Sequence, residues 1–578
     1  MKISKAFLYL IIIGMLAFSA RLFSAHYVDI GTDEMIYQIM PLNIISAERL
    51  STIEQAPIYF YLIDLGYTLS GGQSLIAGRW PAIIFGALAI FLVFLLSMEL
   101  FEDTKSALLS SFLFALSGYA IRFNQEMDMA AFFFSLLSIF FFIRFLKAKA
   151  YNLYLSSLFL ALAALIKPIV LVFVPALALV WFIYGFRQQS GILYLQEKRI
   201  RVNTNALRAV LLAFFIAIII IMPVIAYNYL LYKEKGITDY YFSVLAGVGD
   251  SQLFQGQEAE PWSIGRLFII TKILLANFFK YDALIMLLGI AGVLFSWKKQ
   301  KYYCSLLILS ISFLLLYLAG KMGSSTHYIW IPLVLSVFAG YGSVRLSEKL
   351  QHHFQFKYLI MLVLFLAFLN GLLILKNITE LRETSIAIAL RDYARENIPE
   401  DAILILDPRI YRGIYAWSFN DRHYLEGTYF PQLANSLRQI PGEKKEIPLY
   451  YIECAPGTYC GWKPEDFQRI YNFSEELSGV FRQRAQRIAE IKAIDTFIIY
   501  QGSIAAPPSV YETIDRTHSF WYTPVGWKYT ENAIDNYRTD TFGEKALNSF
   551  GFFILWIDVG IALLSVGLVF FLLGRRSG

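Results

Sequence analysis

Residues 29–37 read Asp29-Ile-Gly-Thr-Asp33-Glu34-Met-Ile-Tyr37, with two adjacent carboxylates just past an apolar run. Carboxylates beside a bilayer are costly to desolvate and need cations, a metal or a catalytic task to justify them. One such group can take the proton of an attacking hydroxyl. Equally, Asp33 can cap a helix that begins at Glu34. A second cluster, Arg122-Phe-Asn-Gln-Glu126-Met-Asp128, packs a cation and two acids into one turn, and Lys167-Pro168 places a lysine at a helix end. A lysine there can hold a phosphate or simply snorkel to the interface. Taken together, Asp33, Glu34, Glu54, Arg122, Glu126, Asp128 and Lys167 are the mixture an anionic, lipid-anchored substrate requires: positive charge for a phosphate and carboxylates for a proton.

The elements that must position these residues are membrane helices. Of 578 residues, 57% are hydrophobic, 17% aromatic and 16% charged, against roughly a quarter charged in a soluble domain. Apolar runs recur at residues 6–20, 80–100, 107–121, 130–146, 151–166, 169–186, 209–232, 283–297, 303–319, 328–344, 358–375 and 550–573, and ~20 apolar residues suffice to span. The first lacks a small-residue cleavage site and reads as a retained helix. With Lys2 and Lys5 inside, every second loop is basic: Arg144 to Lys149, Arg187 to Arg208, Lys298 to Lys301, Arg345 to Lys357, and Arg575-Arg576. About twelve helices with both ends cytoplasmic follow from this bias. The acidic and aromatic clusters then fall on the outer face. The net charge of +6 reflects those cytoplasmic loops and not a nucleic-acid partner.

The apolar stretch 57–69 is too short to span and reads as an interfacial helix started by Pro57. Residues 376–548 are too polar to span and long enough to fold as an extracytoplasmic α/β or α+β domain, with a helix over 380–396, strands over 402–407, 447–453 and 496–500, and a helix over 474–492. The predicted partition is therefore 1–375 membrane domain, 376–548 soluble domain, and 549–578 anchor helix with tail. Cys454 and Cys460 can close a small disulfide loop outside, and Cys304 packs within a span. Tyr411, Tyr415, Trp417, Trp521, Tyr522 and Trp527 are aromatic enough to stack on sugars, with core packing the commoner fate.

The segments TDEMIYQ, EQAPIYFYL, GRWPAIIFGALAIFLVFLL, RFNQEMDMAAFFF, LIKPIVLVFVPALALV and THYIWIPLVLSVFAGYG resemble, in order, the GT-C glycosyltransferases that use polyprenyl-phosphate sugars, specifically the aminoarabinose-transferase and protein O-mannosyltransferase branch. The resemblance covers residues 1–344 and implies a GT-C-like polytopic α-helical membrane protein. It also implies a site. Asp33 matches the motif aspartate that deprotonates the acceptor, with Glu34 as its partner. Glu54 matches the acid before a Pro-rich turn, where Gln55 and Ala56 stand in place of the lysine and second proline common in the aminoarabinose branch. Asp128 matches a second-loop acid that contacts a metal (Mg or Mn) or the sugar. Lys167 matches a lysine near the donor phosphate, and His327 stands where a basic residue often precedes Tyr-x-x-x-Pro. Arg122, Lys167 and His327 are thus the implied donor-phosphate contacts, and Tyr37, Glu54, Tyr59, Arg79, Glu126 and Trp262 the implied substrate contacts.

The implied partners are a polyprenyl-phosphate-linked sugar and a lipid, glycan or protein hydroxyl acceptor, met at the outer face of the plasma membrane among its lipids. The segment 233–282, with Gly247, Gly249, Gly256 and Trp262, is a candidate lid or an ordinary long connection. Two rival readings stand beside the enzyme. A transporter predicts mid-span charges and broken helices. A non-catalytic glycolipid-binding or assembly protein predicts loop carboxylates that tolerate substitution.

Overall fold

The computed structural model describes residues 5–577 apart from 43, 54, 148–150, 189–192, 197–198, 246–262, 320–324, 352–354, 383–384, 438–441, 459, 461–467 and 518–536. The chain divides into two compact units: Met1–His26 with Leu50–Asn377 and Arg538–Gly578, and Tyr27–Arg49 with Ile378–Tyr537.

In chain order, α1 (Lys5–Tyr27) precedes the short α2 (Thr32–Ile39), which belongs to the second unit. The first unit continues with α3 (Pro57–Ser70), α4 (Leu75–Phe101), α5 (Thr104–Ala115), α6 (Gly118–Arg122), α7 (Met127–Lys147) and α8 (Tyr151–Ala164). A 3-10 turn, Pro168–Phe173, leads to α9 (Val174–Gln188) and a hairpin of β1 (Leu193–Gln196) and β2 (Arg199–Val202). Then come α10 (Thr204–Lys235), α11 (Tyr240–Leu245), α12 (Ile264–Ala319), α13 (Trp330–Leu350) and α14 (Phe356–Arg382). Among the described residues, eight helices are long and apolar enough to cross a membrane, and residues 151–164 and 168–184 form shorter apolar helices.

Several expected spans are shaped differently from a plain apolar rod. Residues 107–121 break between α5 and α6, where Ser117 caps the new helix by accepting from the Ala120 amide. Asp282, at a non-helical kink in α12, accepts from the Ser117 hydroxyl at 2.8 Å and the Gly118 and Tyr119 amides at 2.9 and 3.1 Å. It satisfies amides that the start of α6 would otherwise leave unpaired. The kink at Gln300 lets α12 carry the expected spans 283–297 and 303–319 as one bent element. Its first part, residues 264–281, was expected as loop but is helical: Ile270, Leu274, Phe278 and Tyr281 recur at helical spacing and are buried. Helix α3 does start at Pro57, and Pro57 to Asp64 are all buried, so its faces pack against protein. An all-round apolar helix buries every face it can. A Cβ at Gly292 would collide with the Phe338 carbonyl oxygen, so glycine permits the close approach of α12 and α13.

The second unit resumes with α15 (Ile386–Asn397), β3 (Ile403–Leu406), α16 (Arg412–Ser418), β4 (His423–Glu426), α17 (Phe430–Ser436), β5 (Lys445–Cys454), α18 (Gln468–Arg484), β6 (Gln486–Lys492), β7 (Thr496–Ala506) and α19 (Val510–Thr517). The last helix, α20 (Phe542–Ser577), returns to the first unit. The sheet order is β4-β3-β5-β7-β6, with β3 parallel to β4 and β5, and β7 antiparallel to β5 and β6. All four β3 residues are buried, as an interior parallel strand requires. The helix expected over 474–492 ends at Arg484, and the rest becomes the edge strand β6. Pairing with β7 overrides the local helical preference of that stretch. Cys454 and Cys460 are disulfide-bonded, and Cys304 is buried.

Candidate active site

Asp128 lies in the first turn of α7, where the helix N-terminus favours a negative charge. Its neighbour in space, Lys167, precedes Pro168, and that position disfavours helix, so α8 ends and Lys167 is extended (φ −151°, ψ 112°). Lys167 Nζ donates to Asp128 Oδ2 at 2.7 Å. His327 Nδ1 sits 2.9 Å from Asp128 Oδ1 and 3.5 Å from Lys167 Nζ. Facing the Asp128 carboxylate, which only accepts, Nδ1 carries a hydrogen and donates. Thr326 Oγ1 reaches Asp128 Oδ2 at 2.8 Å and Glu126 Oε2 at 3.1 Å, so one hydroxyl hydrogen serves two acids.

Asp128 is fully buried and Lys167 is 4% exposed. A charge at that depth costs several kcal/mol unless paired, which explains why the two occur together. Lys167 and Thr326 occupy Oδ2 and His327 occupies Oδ1, so an ammonium already stands where a divalent cation would bind. Asp128 is therefore held as an ion-pair partner, and the residues present do not suit the metal role foreseen for it. Among the described residues no three His, Cys, Asp or Glu side chains cluster as a metal site requires.

A cavity of about 230 Å³ is lined by Leu165 and Pro168, on either side of Lys167 in sequence, and by Ala56, Leu171 and Val224 with Asp239 and Tyr241. Asp239 caps α11 and bonds Asn228, and burial raises its carboxyl to about 6. The cavity wall is otherwise hydrocarbon, suited to an apolar chain.

The remaining expected residues are distributed as follows. Arg122 ends α6 with its guanidinium 5.5 Å from the Phe123 ring centroid. Arg79 is fully buried and donates to the Ala25 carbonyl at 2.6 Å. Tyr59 is buried in α3 with its hydroxyl 3.5 Å from the Gln125 carbonyl. Asp33, Glu34 and Tyr37 lie on α2 in the second unit, Asp33 half-buried and the other two buried. Glu54 and Trp262, like the glycines of the candidate lid, lie outside the described residues. So do Trp521, Tyr522 and Trp527, whereas Tyr415 and Trp417 are buried in the second unit. Sequence reasoning missed Thr326, whose only signal was adjacency to His327. It also missed Gln38, which lies one helical turn beyond Glu34.

Residues 54–227 match the family model of the dolichyl-phosphate-mannose-protein mannosyltransferases. No curated protein matches the chain significantly. ArnT from Cupriavidus metallidurans bound to undecaprenyl phosphate superposes with a TM-score of 0.58 at 10% identity, covering 86% of this chain and 97% of that one. The apo form of that protein gives 0.56 at 11% identity, covering 86% and 98%. The Archaeoglobus fulgidus oligosaccharyltransferase in complex with Zn and sulfate gives 0.47 at 14% identity, covering 73% and 62%. The chain has the GT-C fold. In this GT-C protein Lys167, just before the Pro168–Phe173 turn, and His327, in a second 3-10 turn Ser325–Ile329, both converge on the head of α7. The expectation of that fold from the motif order is met. The matched segment 54–227 contains Asp128 and Lys167 but neither the Asp33-Glu34 motif nor His327.

Proposed function

We propose that this GT-C protein is a membrane glycosyltransferase that moves a sugar from a polyprenyl phosphate to a hydroxyl of a lipid, glycan or protein on the outer face of the cell membrane. One observation carries the reading: in a GT-C bundle the buried Asp128–Lys167 pair holds the half-buried His327, and the residues flanking Lys167 in sequence, Leu165 and Pro168, line an apolar cavity. A polyprenyl chain gains about 0.8 kcal/mol for each buried CH₂, so its phosphate is confined to the interface and the catalyst must meet it there. Undecaprenyl phosphate is the ligand of the ArnT structure, and a lipid of that class matches a cationic cluster set against a hydrocarbon wall.

The reaction is a single displacement. The Asp33 carboxylate takes the acceptor hydroxyl proton as that oxygen bonds to the anomeric carbon. The bond from that carbon to the phosphate oxygen breaks, the configuration inverts, and the polyprenyl phosphate departs with one more negative charge. Lys167, Arg122 and the His327 imidazole face that growing charge.

The test is transfer by purified protein from labelled undecaprenyl-phosphate aminoarabinose or dolichyl-phosphate mannose. Asp33→Asn should lower transfer at least about a hundredfold, in the range of a lost general base, with unchanged elution and helicity. Wild-type turnover in Asp33→Asn would refute this role for Asp33.

A further inference from the structure

In the second unit, a chain of hydrogen bonds runs through three buried side chains. Trp417 Nε1 donates to Gln38 Oε1 at 2.8 Å. Gln38 Nε2 donates to Glu34 Oε1 at 2.8 Å. The Gly31 amide donates to Glu34 Oε2 at 3.3 Å, the N-cap half of a capping box in which Glu34 is the third residue of α2. Trp417 and Gln38 are each 1% exposed and Glu34 is 3% exposed. The Arg391 guanidinium lies 4.4 Å from the Trp417 ring centroid and holds the indole in place. An indole N–H can only donate, so the Gln38 amide has one orientation, with its oxygen toward Trp417 and its NH₂ toward Glu34. Both Glu34 oxygens therefore accept hydrogen bonds. Asp33, the residue before Glu34 on the same helix, is only half-buried.

We infer that Gln38 and Trp417 are positioning residues for the carboxylate pair. The Trp417–Gln38–Glu34 chain fixes the first turn of α2 and engages Glu34, leaving Asp33 as the carboxylate that meets the acceptor. The C-terminal unit would then take part in catalysis by holding the motif, beyond any binding of acceptor. This rests on the reading of Asp33 as the base.

The experiment compares Trp417→Phe, Gln38→Leu, their double variant and Asp33→Asn, using the labelled donors above. Trp417→Phe keeps an aromatic ring under Arg391 and removes the N–H together with part of the buried indole, so Gln38→Leu, which removes the same hydrogen bonds from the other side, is its control. The expected loss in kcat is about threefold to tenfold for Trp417→Phe, the range of one buried hydrogen bond, and larger for Gln38→Leu, with KM for donor and acceptor within twofold. The double variant should fall no lower than Gln38→Leu, because both act through one chain. Carbodiimide labelling of Glu34, read by mass spectrometry without substrate, should rise several-fold in both single variants while labelling of Asp33 stays level. Wild-type kcat in both variants, additive losses, or unchanged Glu34 labelling would overturn the inference while an inactive Asp33→Asn leaves Asp33 as the base. An active Asp33→Asn would remove both.

Discussion

Lys167 and Asp128 are useful to separate because they serve stability and function at once. Truncating either removes the oppositely charged partner of a buried ion pair, at a cost of up to about 3–5 kcal/mol. Lys167→Gln with Asp128→Asn removes both charges and keeps the volume, and Asn and Gln can still bond each other and Thr326. We expect the single variants to denature several degrees below wild type in detergent and the double variant to recover most of that loss. Transfer should stay low in Lys167→Gln and in the double variant, since the phosphate has lost its ammonium. Recovery of transfer in the double variant would show that the pair is structural only. His327 contacts the same carboxylate, so Asp128 variants also release the imidazole, and the comparison should include Lys167→Gln alone.

At the scale of elements, α20 carries a further buried acid. Asp558 is fully buried midway along this apolar helix, and neither of its carboxylate oxygens has a hydrogen-bond partner among the described residues. Its flanks are packed: Trp556 meets Tyr61 edge-on, and Phe570 meets Phe91. An unsatisfied buried polar group costs about 1–3 kcal/mol, so Asp558→Leu should raise the thermal midpoint in detergent, measured by loss of monomeric elution after heating. A lowered midpoint would mean that the carboxyl has a stabilising partner. By contrast, Asp282 sits at a helix break and accepts three hydrogen bonds. Kinks and a mid-span acid were the marks expected of a transporter, but at Asp282 the break is explained by capping α6.

For the whole molecule, pH acts through Asp239. Its carboxyl titrates near 6 in the folded protein, against an ordinary 3.8, because burial disfavours the charge. The folded state thus binds a proton more tightly than the unfolded state. Stability is greatest below the unfolded value and falls as pH rises through 6, with a full span of about 3 kcal/mol at 1.36 kcal/mol per unit. Thermal midpoints should fall between pH 5 and 7.5, and Asp239→Asn should flatten that slope. An unchanged slope in the variant would place its origin elsewhere.

Legibility followed the range of the interactions. The membrane character, the disulfide-competent cysteines and the cores of β3, β5 and β7 were readable because composition and period-two or period-3.6 patterning are local. Asp33, Asp128 and Lys167 stood out because charge is scarce in this chain. Strand β6 was not readable, since a helix-compatible stretch became a strand only by pairing with β7. Nor was it readable that α3 is buried, because length and hydropathy alone do not say what surrounds a helix.

The amino-acid sequence by itself determined that the chain lives in a membrane, which residue types could handle a phosphate and a proton, and where the polar domain begins. Tertiary structure alone decided the partners: Asp128 with His327 across 199 residues, and Gln38 with Trp417 across 379. Such contacts depend on how packed helices bring distant turns together, and no local periodicity encodes that.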